Sequence, residues 1–418
     1  MTRDALLAIG VVMPFASQID VPGIPFGYGE LCLFLWIALS VVRILAGGRT
    51  EITPTLVRLA SFWTIFALAL GVGTLVGYFT DILYLTGIWH DGVAYVLLVC
   101  MTCLAAAEPD AYRHLRRSAW WVIAIANATL AIQLMQASGW IPQAGVELWY
   151  WDRFRGWSLN PNQIALYCAA FGPLALYLAT TTNKPIGKVL GFAGMILPFY
   201  VGRLTKSDTF LYTSVLGWLI FLGLRLRTWL AAGRGTLSYG RQAAMVLILA
   251  ALPLTMALAP FGLTELGNAE SFAKSLTKDK GGEATAETAE LRMYLWEQAV
   301  RRGLASASLG LGPGAHLERP NIVETGDTPR PFEAHSTLLD LYTQGGLVAV
   351  GALIWLVGAA AVLAWQAKLD AMLALLVSLG VFSLPHLIIR HPIVWFALTL
   401  CLVAGTTPNA TAASLREG

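Results

Sequence analysis

The sequence predicts an all-α polytopic membrane protein of about twelve transmembrane helices. Of its 418 residues, 56% are hydrophobic and only 13% are charged, and the mean hydropathy is +0.63. Because soluble globular proteins carry about 25% charged residues, this composition indicates that most of the chain lies in a lipid bilayer. The apolar runs are too continuous for the alternating strands of a β-barrel or for amphipathic surface helices.

The predicted spans are apolar runs close to the roughly 17 to 25 residues that cross a bilayer. They lie at 4–18, 27–46, 54–79, 91–107, 118–138, 163–181, 185–202, 208–225, 242–261, 336–365, 369–388 and 393–407. Residues 1–261 would hold nine spans, residues 262–335 one long loop with short helices, and residues 336–418 three spans and a tail. No small-residue cleavage site follows the first run, so we expect it to be retained.

The lysine and arginine residues predict the orientation of the chain. Fifteen of them, beginning with Arg3, fall on one set of alternating loops, whereas the opposite short loops hold five. Cytoplasmic loops carry the excess of cations, so both termini are predicted to be cytoplasmic. The chain would then lie in a bacterial inner membrane, with the loop 262–335 in the periplasm.

The five outer cations predict a binding site for an anion at the periplasmic surface. Guanidinium groups stay charged and bind phosphate bidentately, which makes arginine the expected ligand for a lipid phosphate or pyrophosphate. The alternative is that each side chain reaches ordinary phospholipid headgroups. The five residues are Arg153, Arg155, Arg203, Lys206 and Arg390.

The segment 149–163 combines aromatic rings with two of these arginines before an apolar helix. Asn160-Pro161 marks a turn, and Asn162 is predicted to be the N-cap of the helix, whose N-terminus would attract phosphate. We expect Trp149 and Trp151 to belong to the aromatic belt at the membrane surface. Aromatic rings also stack on sugars.

His335 stands where the long loop meets an apolar helix. Ser336 is the predicted N-cap, so His335 would lie at the positive end of the helix dipole, which disfavours imidazolium. A neutral imidazole can take a proton from a sugar hydroxyl near pH 7. Ser336, Asp340 and Gln344 form a polar stripe that predicts a cavity lining, whereas a histidine with only local hydrogen bonds is the alternative.

Two further patterns lie within the loop. Residues 286–305 predict a helix along the membrane surface, with Glu297 paired to Arg301 and with Leu291, Leu295 and Val300 on one side. The glycines at 310, 312 and 314 mark a turn or expose backbone N–H groups to an anion.

Several motifs follow one another along the chain, from Arg155-Gly156 and Asn160-Pro161-Asn162 through the turn at Arg203, Arg292 near Trp296, the glycines at 310–314 and His335-Ser336-Thr337 to Gly345-Gly346. In this order they resemble the O-antigen ligase and O-antigen polymerase superfamily. The resemblance implies about twelve spans, a large periplasmic loop and transfer of a glycan from undecaprenyl pyrophosphate to an acceptor hydroxyl, without a metal, nucleotide sugar or other cofactor. In the ligases the acceptor is the lipid A-core oligosaccharide of lipopolysaccharide.

The resemblance also implies residue roles. Arg155, Arg203 and Arg292 would hold the pyrophosphate, and His335 would deprotonate or orient the acceptor hydroxyl. Fixed cations would stabilise the charge that builds on the leaving group, and a single displacement would invert the anomeric centre. The turn at Arg203 departs from the expected serine-arginine pattern, so Arg203 and Lys206 are interchangeable. Further candidate substrate contacts are Arg153, Lys206, Asn160, Asn162, Asp340 and Arg390.

Other functions fit parts of the sequence. A polysaccharide polymerase or a protein glycan ligase of the same superfamily could use the same residues. A transporter or flippase for an anionic lipid would need ionisable groups at the midplane of the membrane, whereas these groups gather at the outer ends of the helices. The expected partners are membrane lipids, the glycan donor and the lipid A-core acceptor, with no nucleic acid.

Overall fold

The computed structural model describes residues 2–19, 26–80, 85–143, 145–231, 281–318 and 331–407, and almost all regular structure in these ranges is helical. One short hairpin pairs β1 (Trp149–Tyr150) with β2 (Arg153–Phe154). The helices are α1 (Thr2–Val12), a 3-10 turn (Met13–Phe15), α2 (Tyr28–Leu45), α3 (Pro54–Thr80), α4 (Leu85–Ala106), α5 (Ala111–Ala137), α6 (Pro161–Thr181), α7 (Pro185–Leu204), α8 (Asp208–Ala231), α9 (Gly281–Ala305), α10 (Thr337–Gln366), α11 (Asp370–Ser383) and α12 (Pro392–Thr406).

Within the described ranges, eight helices are long and apolar enough to cross a membrane, namely α2 to α8 and α10. Helices α11 and α12 are also apolar but have only 14 and 15 residues. The chain is therefore an all-α, multi-pass membrane protein. The predicted span 4–18 contains only the 11-residue α1 and the 3-10 turn, and the predicted span 242–261 lies outside the described residues.

The predicted span 369–388 is shorter than expected. Helix α11 ends at Ser383, because Pro385 follows and the residue before a proline disfavours helical backbone angles. The loop between α11 and α12 therefore begins earlier than the hydropathy indicates. It carries His386 and Arg390.

Helix α6 is the central helix of the molecule. Its side chains from Ile164 to Ala179 are almost all buried, and it packs against α5, α7 and α11. Helices α2, α7 and α8 instead keep many apolar side chains exposed. In a bilayer these surfaces face lipid.

Helix α10 is broken at a glycine pair. Gly346 has φ = 64° and ψ = −161°, values that only glycine adopts readily. The break frees the carbonyls of Thr343 and Gln344, which accept hydrogen bonds from the N–H groups of Leu311 (2.7 Å) and Gly312 (2.8 Å). Backbone groups at membrane depth need such partners. The N–H of Gly312 is thus bonded to protein, so its predicted exposure to an anion is wrong.

Candidate functional site

The β1–β2 hairpin positions Arg153 at the start of α6. Its guanidinium donates from Nε to the carbonyl of Thr205 (2.9 Å) and from Nη2 to Oδ1 of Asn162 (2.8 Å). The predicted N-cap was wrong by two residues, because Asn160 caps α6 by accepting from the N–H of Asn162 (2.9 Å). Pro161 takes the first helical position, where its missing N–H costs nothing.

His335 lies in a tightly anchored segment before α10. It has φ = 53°, a left-handed conformation that is strained for a residue with a side chain. The N–H groups of Ala334 (2.7 Å) and Ser336 (3.1 Å) both donate to the carboxylate of Asp340, and Nε1 of Trp296 donates to the carbonyl of Ala334 (3.0 Å). These bonds fix the backbone on both sides of the imidazole.

Asp340 supplies the capping interaction that was expected of Ser336. Ser336 is the N-cap of α10, as predicted, but its side chain makes no capping bond. Asp340 and Gln344 are buried and bonded to protein groups, including the hydroxyl of Tyr95, which donates to Gln344 (3.0 Å). The prediction that this stripe lines a cavity was therefore wrong for these two residues.

Arg390 bridges two carboxylates from different parts of the chain. Its Nη1 lies 2.5 Å from Oδ1 of Asp91 on α4, and its Nη2 pairs with Glu333, two residues before His335. Burial opposes the charged form, but Glu333 and Asp91 raise the pKa of Arg390 above its usual range. Arg390 thus joins α4, the His335 segment and the loop before α12.

The loop between α11 and α12 brings a second imidazole to this region. The hydroxyl of Thr337, at the start of α10, donates to the carbonyl of His386 (2.7 Å). It also accepts from the N–H of Ile388 (3.0 Å). His386 was not singled out from the sequence, although Pro385 interrupts its apolar run and could have placed it in a loop.

Four cationic or titratable side chains interact electrostatically here: Arg153, Arg292, His335 and His386. Burial lowers the pKa of His386 to about 3, and the charges of Arg292, His335 and Arg153 contribute. Burial also lowers the pKa of His335, with further lowering by Arg292 and opposition by Glu333. His386 therefore links the other three side chains electrostatically, and we treat the four as one cluster on that basis. We call them the cationic cluster.

The two arginines of the cationic cluster have no direct carboxylate partner among the described residues, although the charges of Asp208 and Asp152 act on Arg153 and that of Glu333 acts on His335. Burial lowers the pKa of both Arg153 and Arg292. Among the described residues, no carboxylate forms an ion pair with Arg292, and the two direct hydrogen-bond partners of Arg153 are neutral oxygens. His335 is accessible to solvent, yet protein atoms surround enough of the imidazole to keep it neutral near pH 7.

Besides Arg390, three of the five outer cations that were predicted to bind an anion lie outside the cationic cluster. Arg155 is buried in the hairpin region, where it pairs with Glu147 and its guanidinium lies 5.5 Å from the ring centre of Tyr150. Lys206 pairs with Asp152 at 2.5 Å. Arg203 is exposed on α7. The structure therefore brings Arg292 to His335, and Arg153 to Arg292 and His386, whereas it holds Arg155 and Lys206 in separate ion pairs.

Arg203 lines an apolar groove between α6, α7 and α8. The groove has a volume of about 560 Å³, and among the described residues that line it only Arg203 is charged. Arg203 stands at the end of α7 beside Thr205, whose carbonyl contacts Arg153. The groove thus approaches the cationic cluster at its polar end. Its lining includes Gly172, Phe192, Ile196, Phe199 and Trp218.

Helix α9 contributes Arg292 and Trp296 to the site. Leu295 and Ala299 form its buried side, and Glu297 pairs with Arg301 at 2.6 Å, as predicted. Val300, predicted on the apolar side, is exposed. It lies five residues beyond Leu295, and this separation turns it away from the buried face.

The fold and the site define a class: an all-α, multi-pass membrane protein with an accessible imidazole and buried cations at one end of its helices. No protein-family model matches the sequence, and no curated protein resembles it significantly. Among the described residues, no group of three or more histidine, cysteine, aspartate or glutamate side chains is arranged to hold a metal ion.

Proposed function

We propose that this protein transfers a glycan from a polyprenyl pyrophosphate, specifically undecaprenyl pyrophosphate, to a hydroxyl of the lipid A-core oligosaccharide. The observation that carries the proposal is the presence of two partly buried arginines, Arg153 and Arg292, in the same cluster as the imidazole of His335. Like charges held together in a partly buried site are costly unless an anion joins them. A pyrophosphate would supply that charge, and arginine pairs with phosphate oxygens bidentately.

The reaction assigns different tasks to the two kinds of side chain. Arg153 and Arg292 would stabilise the charge that develops on the pyrophosphate as the bond to the anomeric carbon breaks. His335, neutral near pH 7, would accept the proton of the acceptor hydroxyl as that oxygen forms the new bond. Attack opposite the leaving group inverts the anomeric centre.

The apolar groove supports a lipid-linked donor over a soluble one. It lies between helices that expose apolar side chains to the bilayer, and Arg203 marks its end nearest the cluster. A polyprenyl chain in this groove would place its pyrophosphate near Arg153. Arg203 would then contact the same anion, in keeping with the role that the resemblance implies.

The proposed topology has about twelve spans in the bacterial inner membrane, with cytoplasmic termini and a periplasmic loop at 262–335. Helix α4 supports the proposal that the site and the N-terminal cations lie on opposite sides of the membrane, because each end of the helix contacts one of them. Asp91 near its start meets Arg390 of the site, whereas Glu108 just past its end pairs with Arg3 and Arg43. These two carboxylates are about 25 Å apart along a helix with 1.5 Å rise.

A reconstituted transfer assay tests the proposal. Purified protein is incubated with undecaprenyl-pyrophosphate glycan and lipid A-core, with and without EDTA. We expect glycosylated lipid A-core in both samples, with the anomeric configuration inverted. Longer lipid-linked glycan without acceptor would indicate a polymerase instead. No product, together with ligand translocation in vesicles, would contradict the transferase and favour transport.

The variant His335→Ala distinguishes an effect on the transfer rate from an effect on donor affinity. We expect this variant to lose transfer while it still binds undecaprenyl pyrophosphate, because the pyrophosphate contacts belong to the arginines. The comparison measures the transfer rate and the donor affinity in the same preparation. Unchanged transfer by the variant would remove His335 from the proposed mechanism.

A further inference from the structure

The β1–β2 hairpin carries a group of aromatic side chains at the rim of the cationic cluster. Trp149, Tyr150 and Trp151 are all exposed, and Trp151 is 83% exposed. Arg153 on the same hairpin belongs to the cationic cluster. The aromatic group therefore stands directly beside the groups proposed to act on a glycan donor.

The base of the hairpin is held rigidly. Phe154 is fully buried, and the N–H groups of Arg155 (3.0 Å) and Gly156 (3.1 Å) both donate to the carbonyl of Leu148. The side-chain amide of Gln18 donates to the carbonyls of Glu147 (2.9 Å) and Gly156 (3.0 Å). The hairpin is thus tied to the chain that follows α1.

Two of the three rings are also held in fixed orientations. Trp149 packs edge-on against Phe154, with ring centres 5.3 Å apart, and the Arg155 guanidinium lies 5.5 Å from the ring centre of Tyr150. Rigid aromatic side chains lose little conformational entropy on binding. Each ring therefore forms a ready surface for a ligand with a flat apolar face.

Trp151 occupies an unusual backbone position. Its φ is 59°, as the first residue of a two-residue hairpin turn requires, and this places the ring at the tip of the hairpin. Polar groups flank the ring, since Asp152 and Lys206 form an ion pair beside it. Exposed rings bordered by hydrogen-bonding groups suit a pyranose, whose C–H face is apolar and whose edge carries hydroxyls.

We propose that Trp151, at the tip of the hairpin, forms a stacking platform for a sugar ring of the acceptor oligosaccharide, with Trp149 and Tyr150 on opposite faces of the adjoining strand. The proposal rests on the transferase function for the identity of the sugar. A ring held by the platform would lie next to Arg153 and the reacting groups. Bringing an acceptor hydroxyl into fixed position in this way lowers the barrier to transfer.

Variants at exposed tryptophans test the platform. Trp151→Ala should weaken binding of delipidated core oligosaccharide at least about tenfold, the loss expected from removing roughly 1.4 kcal/mol of contact. Trp151→Phe keeps a ring and should retain binding within about threefold, a change of under 1 kcal/mol. Trp140→Ala is the matched control, because Trp140 is 81% exposed and lies outside the hairpin.

Binding is measured by saturation-transfer NMR and fluorescence titration of the full-length protein in nanodiscs without donor. Equal binding by Trp151→Ala and wild type would overturn the platform. Equal losses in Trp151→Ala and Trp140→Ala would also overturn it and would indicate a general membrane-anchoring role. Ring-dependent binding without any transfer activity would support the platform while contradicting the transferase.

Discussion

At the scale of single residues, the backbone of His335 is the feature that most needs support. A left-handed residue with a side chain costs about 1–2 kcal/mol, and the bonds from Asp340 and Trp296 to its neighbours hold it there. The anchored backbone fixes the direction in which the His335 side chain leaves the chain, and the imidazole is exposed. Positioning therefore depends on residues that need not touch the substrate.

Asp340→Asn tests this support. Both carboxylate oxygens accept backbone N–H groups, and an amide has only one acceptor oxygen, so one N–H group loses its partner at a cost of about 1–3 kcal/mol. We expect a lower melting temperature and loss of transfer, with donor affinity retained. Asp110→Asn, at the start of α5, is the control. Wild-type melting temperature and rate in Asp340→Asn would contradict the positioning role.

Arg390 is expected to matter for stability as well as activity. Arg390→Ala would remove the arginine partner of Asp91, which is 1% exposed, and leave it with His90 and Gln344 as its remaining polar contacts; breaking a buried ion pair typically costs about 3–5 kcal/mol. We expect poor accumulation or a markedly lower melting temperature. Arg390→Lys keeps the charge but cannot bridge Asp91 and Glu333 in the same way, so it should be intermediate. A fully stable Arg390→Ala variant would contradict the bridge.

At the scale of secondary-structure elements, the broken helix α10 and the glycine-rich segment before it form one unit. The segment supplies the N–H groups that the break in α10 needs, and Gly312 lies against α3 at Thr74. Its φ is 96°, and an added Cβ would stand 2.8–3.1 Å from atoms of Thr74. The positive φ and the close contact with Thr74 both favour glycine at position 312.

Gly312→Ala and Gly351→Ala provide a matched comparison. The first should destabilise the protein because of the strained φ and the contact with Thr74. The second lies in the regular part of α10 with open space around an added Cβ, so it should be neutral or stabilise by about 0.5–1 kcal/mol. Melting temperatures in one detergent measure both. A lower melting temperature for Gly351→Ala than for Gly312→Ala would contradict the close packing of α3 on the glycine-rich segment.

Some helix positions could be predicted from the sequence, whereas the arrangement of the site could not. Hydropathy located α2, α3 and α6 to α8 closely, because continuous apolar runs leave few alternatives in lipid. Hydropathy predicted that the helix now called α11 continues past Pro385, because a hydropathy value does not reflect the effect of proline on backbone conformation. The joining of Arg153, Arg292 and His386 around His335 depends on contacts between distant segments. Local patterns carry no information about such contacts. The preference for Arg155 over Arg153 came from the family resemblance, and the sequence offered nothing that could correct it.

At the scale of the whole molecule, stability should depend on pH through the buried histidines. Burial lowers the pKa of His386 to about 3 and that of His391 to about 4, whereas an unfolded histidine titrates near 6.5. Below that pH the unfolded chain binds protons that the folded chain does not. Acidification therefore favours unfolding until the folded-state pKa is reached.

We expect His386 to lower the melting temperature progressively as the pH falls from 7 to 5.5, and comparison with a variant that lacks this imidazole separates its effect from that of other titrating groups. Each histidine contributes at most about 1.4 kcal/mol per pH unit below its unfolded pKa. His386→Gln should flatten the dependence, because glutamine does not titrate. The same pH dependence in this variant and in wild type would contradict a neutral, buried His386.

The most direct test of the central claim is equilibrium binding of undecaprenyl pyrophosphate to Arg292→Gln and to Arg301→Gln. Both arginines lie on α9, but Arg301 is exposed and paired with Glu297, whereas Arg292 belongs to the cationic cluster. Loss of one charged hydrogen bond predicts about 10- to 100-fold weaker binding by Arg292→Gln and no comparable change in Arg301→Gln. Equal affinities in the two variants would contradict the assignment of the cluster as a pyrophosphate site.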